Sequence, residues 1–181
     1  MTENRKDFIS LKDFTGKEIE SLIKNGIEMK NNPKKYSHTL QGRSLLMIFE
    51  AVSVRTRLSF EIGMYQLGGF ASFYSIAEST LGKKETIEDF SRVVSRYYDV
   101  IMARLYDHEQ MIKMANAATV PVINGMTNFS HPCQILADLM TVYEKKKKLK
   151  GLKLAYLGGG LNNVTHSLLF GCSKVGMDIS V

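Results

Sequence analysis

The sequence predicts an α/β fold: a doubly wound parallel sheet with flanking helices, followed by the start of a second α/β unit. Three observations carry this. Short apolar runs of strand length, such as Leu45-Leu46-Met47-Ile48-Phe49, recur along the chain. Segments with apolar residues at helical spacing separate them, such as Ile87, Phe90 and Val94. The two kinds alternate, and strand–helix alternation implies parallel strands with helices on both faces of the sheet.

Taken in order, residues 15–31 read as a helix that stops before Pro33, because proline disfavours helical backbone in the residue before it. Strands are expected at Ser44–Phe49, Phe70–Ser75, Val100–Arg104, 120–124, 153–157 and 178–181. Helices are expected at 55–67, 86–97, 108–118, 132–147 and 163–175. Leu58, Ile62 and Tyr65 share one face of the first of these. Ile87, Phe90, Val94 and Tyr97 mark the buried face of the second, and Leu136, Leu139, Met140 and Tyr143 that of the fourth. A boundary is expected near 147–151, where Lys145 to Lys148 and then Gly151 close a helix before a fresh strand. This gives units 1–147 and 148–181. One strand–helix–strand stretch leaves a sheet face uncovered, so the second unit is expected to be cut short.

The chain has 181 residues, 44% of them hydrophobic, which suits a packed core rather than disorder. Its net charge of +6 admits a nucleic acid or a small anion as partner. The basic residues are scattered apart from Lys145 to Lys148, which complement a helix C-terminus, and no nucleic-acid-binding motif is present. Cys133 and Cys172 make no disulfide framework and fit a reducing, cytoplasmic setting. The polar N-terminus has no signal-peptide core, and no apolar run approaches the roughly 20 residues of a membrane span.

Ser53-Val54-Arg55-Thr56-Arg57 stands where a strand hands over to a helix. Unpaired backbone N–H groups and the positive end of the helix dipole meet there, and two hydroxyls with two guanidiniums add donors matched to phosphate oxygens. An ordinary N-cap needs one hydroxyl and no arginine pair. Arg104 ends another predicted strand at the same sheet edge. Asn128-Phe129-Ser130-His131-Pro132-Cys133-Gln134 follows a third, and Pro132 suits a first helical turn. His131 and Gln134 then lie a turn apart and can face one ligand. Phosphate binders beside donors for a carbonyl oxygen suit attack on an acyl-type phosphate.

These residues carry a family resemblance. Phe49-Glu50, Ser53-Val54-Arg55-Thr56-Arg57-Leu58-Ser59-Phe60-Glu61 and Gln66-Leu67-Gly68-Gly69 resemble the phosphate-binding segment of the aspartate/ornithine carbamoyltransferases. His131-Pro132-Cys133-Gln134-Ile135-Leu136-Ala137-Asp138 is similar to their second motif, in its ornithine-type wording. Gly158-Gly159-Gly160-Leu161-Asn162-Asn163-Val164 looks like the start of the ornithine-type acceptor domain. The resemblance implies that Ser53, the Val54 N–H, Arg55 and Thr56 hold the phosphate of carbamoyl phosphate, with Arg57 structural or secondary. Arg104, His131 and Gln134 would address the carbamoyl oxygen and the bridging region. Thr80, Lys83 and Lys84 would lie on a loop that reaches a neighbouring subunit's site in a homotrimer. Asn163 would touch the amino-acid acceptor, ornithine by preference. The resemblance implies no metal and no cofactor.

Two positions depart from the family: Val54 stands where threonine is usual, and Thr80 where ornithine-type enzymes often place glutamine. The family's later acceptor motifs are not within these 181 residues. The chain is therefore expected to hold the carbamoyl-phosphate half and the edge of the acceptor half, and to be inactive alone. One rival reading concerns the whole chain, a carbamoyl-phosphate-binding module or a non-catalytic homologue with another or no acceptor; the others concern single residues. Cys133 with His131 as a nucleophile pair is disfavoured, because the two side chains diverge at a helix start. As a metal pair they lack a third and fourth ligand. His38, His108 and His166 suggest no role. Gly158 and Gly160 open a dinucleotide-like G-x-G pattern, but Asn163 replaces its third glycine, and redox chemistry stays open as a rival.

Overall fold

The computed structural model describes residues 5–76 and 85–181. Four parallel strands form the main sheet in the order β2-β1-β3-β4: β1 (Ser44–Phe49), β2 (Phe70–Ser75), β3 (Val100–Arg104) and β4 (Val122–Met126). The helices are α1 (Gly16–Asn31), α2 (Pro33–Tyr36), α3 (Val54–Gln66), α4 (Ile87–Val94), α5 (His108–Ala117), α6 (Pro132–Lys146) and α7 (Asn163–Lys174). Strands β5 (Lys153–Ala155) and β6 (Asp178–Ser180) pair in a separate parallel sheet. Among the described residues, no helix is long and apolar enough to cross a membrane.

Strand alternation sorts the core. Leu46, Ile48, Ile101, Ala103 and Val122 point to one face and pack with Ile87 and Phe90 of α4 and Met111 and Met114 of α5. Leu45, Met47, Phe49 and Met102 point to the other, against Phe60 and Met64 of α3. The sheet is thus doubly wound. A third core joins α1, α6 and α7 through Ile19, Ile23, Ile135, Leu139, Leu168 and Cys172. The small sheet does not stand alone: Leu154 and Ile179 pack onto this same core.

Several expectations shift. α4 ends at Val94, and Tyr97, expected on its buried face, is 75% exposed. Ser91 and Ser95 are buried instead, each donating its hydroxyl to the carbonyl four residues back, Ile87 O and Ser91 O. Such back-bonding bends a helix and competes with its continuation. β4 begins two residues later than expected because Pro121 has no N–H for a ladder. β5 stops at Ala155, and Leu157 is almost fully exposed. On α6 the fully buried positions are Ile135 and Leu139, with Leu136, Met140 and Tyr143 beside them at its margin. The face of α3 with Leu58, Ile62 and Tyr65 turns outward, and these side chains are exposed.

Candidate active site

The carboxyl ends of β1, β3 and β4 converge, as parallel sheets require of their ligand sites. A cavity of about 590 Å³ opens there, lined among others by Ser53, Arg55, Thr56, Arg104, His131 and Gln134. Such a volume is that of a small-molecule site.

Each side chain is placed by local chemistry. Ser53 has extended backbone and is the N-cap of α3; its Oγ accepts from the Thr56 N–H (3.4 Å) and donates to Thr56 Oγ1 (2.9 Å). The cap fixes the first turn, and Val54 and Arg55 sit at its start, where backbone N–H groups point along the axis. Arg55 is exposed at the cavity rim. Arg104 ends β3, held between strands by pairing with Phe49 on one side and Met126 on the other, with a register shift between Ala103 and Arg104. Its Nη1 donates to Thr56 Oγ1 (3.4 Å). Among the described residues, no carboxylate ion-pairs with Arg55 or Arg104, and Arg104 Nε is buried without a hydrogen-bond partner. Two uncompensated guanidiniums at a helix N-terminus make a site for an anion.

His131 is the N-cap residue of α6, but its imidazole makes no capping bond, and Pro132 opens the helix. Its Nδ1 is buried and unpartnered among the described residues. Burial, with a smaller push from Arg104, pulls its pKa down to about 4. It is neutral at pH 7, with one ring N–H to donate. Burial also lowers the pKa of Arg104 from the ordinary guanidinium value. Gln134 lines the cavity and donates Nε2 to Asp138 Oδ1 (3.0 Å). The cavity therefore combines cationic guanidiniums at a helix start with a neutral imidazole and an amide beside them.

The other predicted positions fall elsewhere. Val54 is exposed on α3 and does not line the cavity with its side chain. Arg57 pairs with Glu61 (3.1 Å) and lies over the Phe73 ring (4.1 Å), so its guanidinium is spent on the helix and the edge strand. Asn163 donates Nδ2 to Thr127 O (2.6 Å) and is not among the lining residues. Thr80, Lys83 and Lys84 lie outside the described residues. Burial pushes the Cys133 thiol up to about 12, and Sγ donates to Asn124 O (3.4 Å), which makes it a wall and not a nucleophile. Among the described residues no cluster of three metal-ligating side chains occurs.

Gly125 lines the cavity too, a residue the sequence reading passed over. A Cβ there would meet Met102 Sδ at 2.7 Å and Ala103 O at 3.2 Å, so only glycine lets β4 lie this close to β3 beside the site. The expected strand stopped at residue 124, one short of this glycine, so no strand-interior glycine stood out. At the glycine loop before α7, Asn162 is the N-cap and accepts from the Val164 and Thr165 N–H groups (2.9 and 3.0 Å), while its amide donates to Gly159 O. Two of the backbone donors at this helix start are thus taken by the cap and not free for a pyrophosphate.

With this geometry, similarity to known proteins becomes informative. Residues 6–144 match the family model described as aspartate/ornithine carbamoyltransferase, carbamoyl-P binding domain. The ornithine carbamoyltransferase of Anoxybacillus flavithermus is 50% identical over 179 residues, covering 97% of this chain and 56% of that protein. The solved ornithine carbamoyltransferase of Pyrococcus furiosus is 46% identical and superposes with a TM-score of 0.92 over 96% of this chain and 56% of its own. Ornithine transcarbamoylase of Giardia lamblia gives 36% identity and a TM-score of 0.89, over 98% of this chain and 58% of its own. The chain thus spans a little over half the length of these relatives. The matched region contains every residue that lines the cavity, and the chain belongs to the aspartate/ornithine carbamoyltransferase family.

Proposed function

We propose that this chain supplies the donor site of a carbamoyltransferase that moves the carbamoyl group of carbamoyl phosphate to the amine of an amino acid, L-ornithine, giving L-citrulline and phosphate. The single observation that carries the reading is the convergence of the α3 N-terminus, Arg104 and neutral His131 on one cavity whose arginines have no carboxylate partner among the described residues. In this reading Ser53, Arg55, Thr56 and the Val54 N–H bind the phosphate, while Arg104, His131 and Gln134 face the carbamoyl oxygen. A neutral amine attacks the carbamoyl carbon, negative charge gathers on its oxygen, and the C–O bond to phosphate breaks. Guanidinium and imidazole donors stabilise that charge, and holding the two reactants together supplies much of the rest.

The remainder of the reading follows from the family. In this reading 148–181 begins the acceptor-binding unit, and Asn163 turns to the acceptor. The protein acts in the cytoplasm, in arginine metabolism, as a homotrimer in which Thr80 and Lys83 serve a neighbour's site. The exposed stripe of Val54, Leu58, Ile62 and Tyr65 on α3, beside Phe70 and Phe73 of β2, supports an interface on that side. Arg55→Ala is expected to weaken carbamoyl-phosphate binding by about 1.5–3 kcal/mol, the range for hydrogen bonds to charged groups. Calorimetric titration showing unchanged affinity defeats the assignment. Citrulline formation by the full-length protein, and none by residues 1–181 alone, is the matching activity result.

A further inference from the structure

The turn that carries His131 is held from α7, outside the matched carbamoyl-phosphate region. Three α7 side chains at i, i+3 and i+4 reach it. Asn163 Nδ2 donates to Thr127 O (2.6 Å), and His166 Nδ1 hydrogen-bonds Phe129 O (3.0 Å). The His131 N–H itself donates to Ser167 Oγ (2.8 Å). Ser167 is 1% exposed and also touches Ser130 Oγ (3.3 Å). The turn is closed internally by Thr127 N–H to Ser130 O (2.9 Å) and Ser130 N–H to Thr127 Oγ1 (3.1 Å). Phe129 is sandwiched between His166 (4.8 Å between ring centres) and His108 of α5 (5.0 Å), whose Nδ1 reaches Thr127 Oγ1 (2.8 Å). His131 cannot be held by its own ring, since that ring makes no capping bond.

We propose that Ser167 and His166 are positioning residues for His131: they fix the turn so that the imidazole stays beside Arg104 in the cavity. Neither touches the cavity. Ser167 acts on the backbone of His131, and His166 acts two residues upstream. A buried N–H that loses its acceptor costs a full desolvation penalty, so the turn would move to find another partner. A displacement of about 1 Å in a catalytic group can cost on the order of 100-fold in rate. The second unit therefore sets the geometry of a donor-site residue, and a shift of α7 is felt at His131.

The catalytic half of this rests on the carbamoyl-transfer reading; the structural half does not. In the full-length protein, Ser167→Ala is expected to lower kcat by about 10- to 100-fold. KM for carbamoyl phosphate should stay within about threefold, because the His131 imidazole that would be displaced serves the carbamoyl oxygen of the transition state. Ser167→Thr, which keeps the acceptor oxygen, should recover most of the rate. NMR titration of the His131 ring gives a readout independent of turnover: its pKa should rise from about 4 toward the ordinary histidine value in Ser167→Ala. His166→Ala removes a half-buried side chain, tolerates folding better, and should move the same titration in the same direction. An unshifted His131 titration in folded Ser167→Ala or His166→Ala overturns the proposal, whatever happens to thermal stability. If the unsubstituted protein forms no citrulline, the transfer reading fails while the titration still decides the positioning role.

Discussion

His131 shows how one residue reports on its surroundings. In the unfolded chain it takes up a proton near pH 6.5, and in the fold only near 4. Between those values the unfolded state binds more protons, so stability rises with pH across the window and is lost as pH falls from 6.5 toward 4. His131→Gln should flatten that slope in urea unfolding at pH 7 and pH 5; an unchanged slope would show that the imidazole is not desolvated. His108, whose pKa burial also lowers, supplies part of the remaining slope. At this scale the sequence was informative where the chemistry is local. Ser53, Arg55 and Thr56 lie within one helical turn, so their convergence follows from spacing. Arg104, His131 and Gln134 join them only because β1, β3 and β4 are parallel and adjacent. Ser167 was invisible, because nothing in its neighbourhood says that its hydroxyl meets a backbone N–H 36 residues earlier.

The elements were legible to within a few residues, since period and length separate strands from helices. Their ends were less so. The α4 terminus depends on buried serines bonding backward, and the β4 start on a proline that a propensity reading absorbs into an apolar run. Outward-facing α3 was the larger surprise: apolar periodicity identifies a stripe but not what covers it. Helix crossing is equally unreadable. Gly171 of α7 sits where a Cβ would meet Ile135 Cγ2 at 2.8 Å, Leu11 Cδ1 at 3.1 Å and Leu139 Cδ1 at 3.3 Å. Gly171→Val should destabilise the fold by about 1–3 kcal/mol through overpacking, against a smaller gain from helix propensity. Denaturant unfolding measures it, and a variant as stable as the parent would mean that α6 and α7 have room to separate.

For the whole molecule, the proposed homotrimer is tested at the exposed stripe of α3. Leu58→Glu places a carboxylate in the exposed stripe of α3, and it should reduce the mass of the full-length protein seen by light scattering toward a single chain. An unchanged mass would place the interface elsewhere. The N-terminal segment bears on the direction of assembly. Phe8 lies parallel to Ile123 along the outer side of β4, its N–H donating to Val122 O (2.8 Å) and its carbonyl accepting from Asn124 N–H (2.9 Å). Asp7 takes the Val122 N–H as well (2.8 Å), and Arg5 ties the segment down through Asp7 and the carbonyls of Ala115 and Ala118. Backbone groups that could template another chain are thus occupied on that flank. Residues 7 and 8 thus act as a short guard strand, and the two flanks of the sheet are unlike: pairing by another strand is blocked where this segment lies along β4.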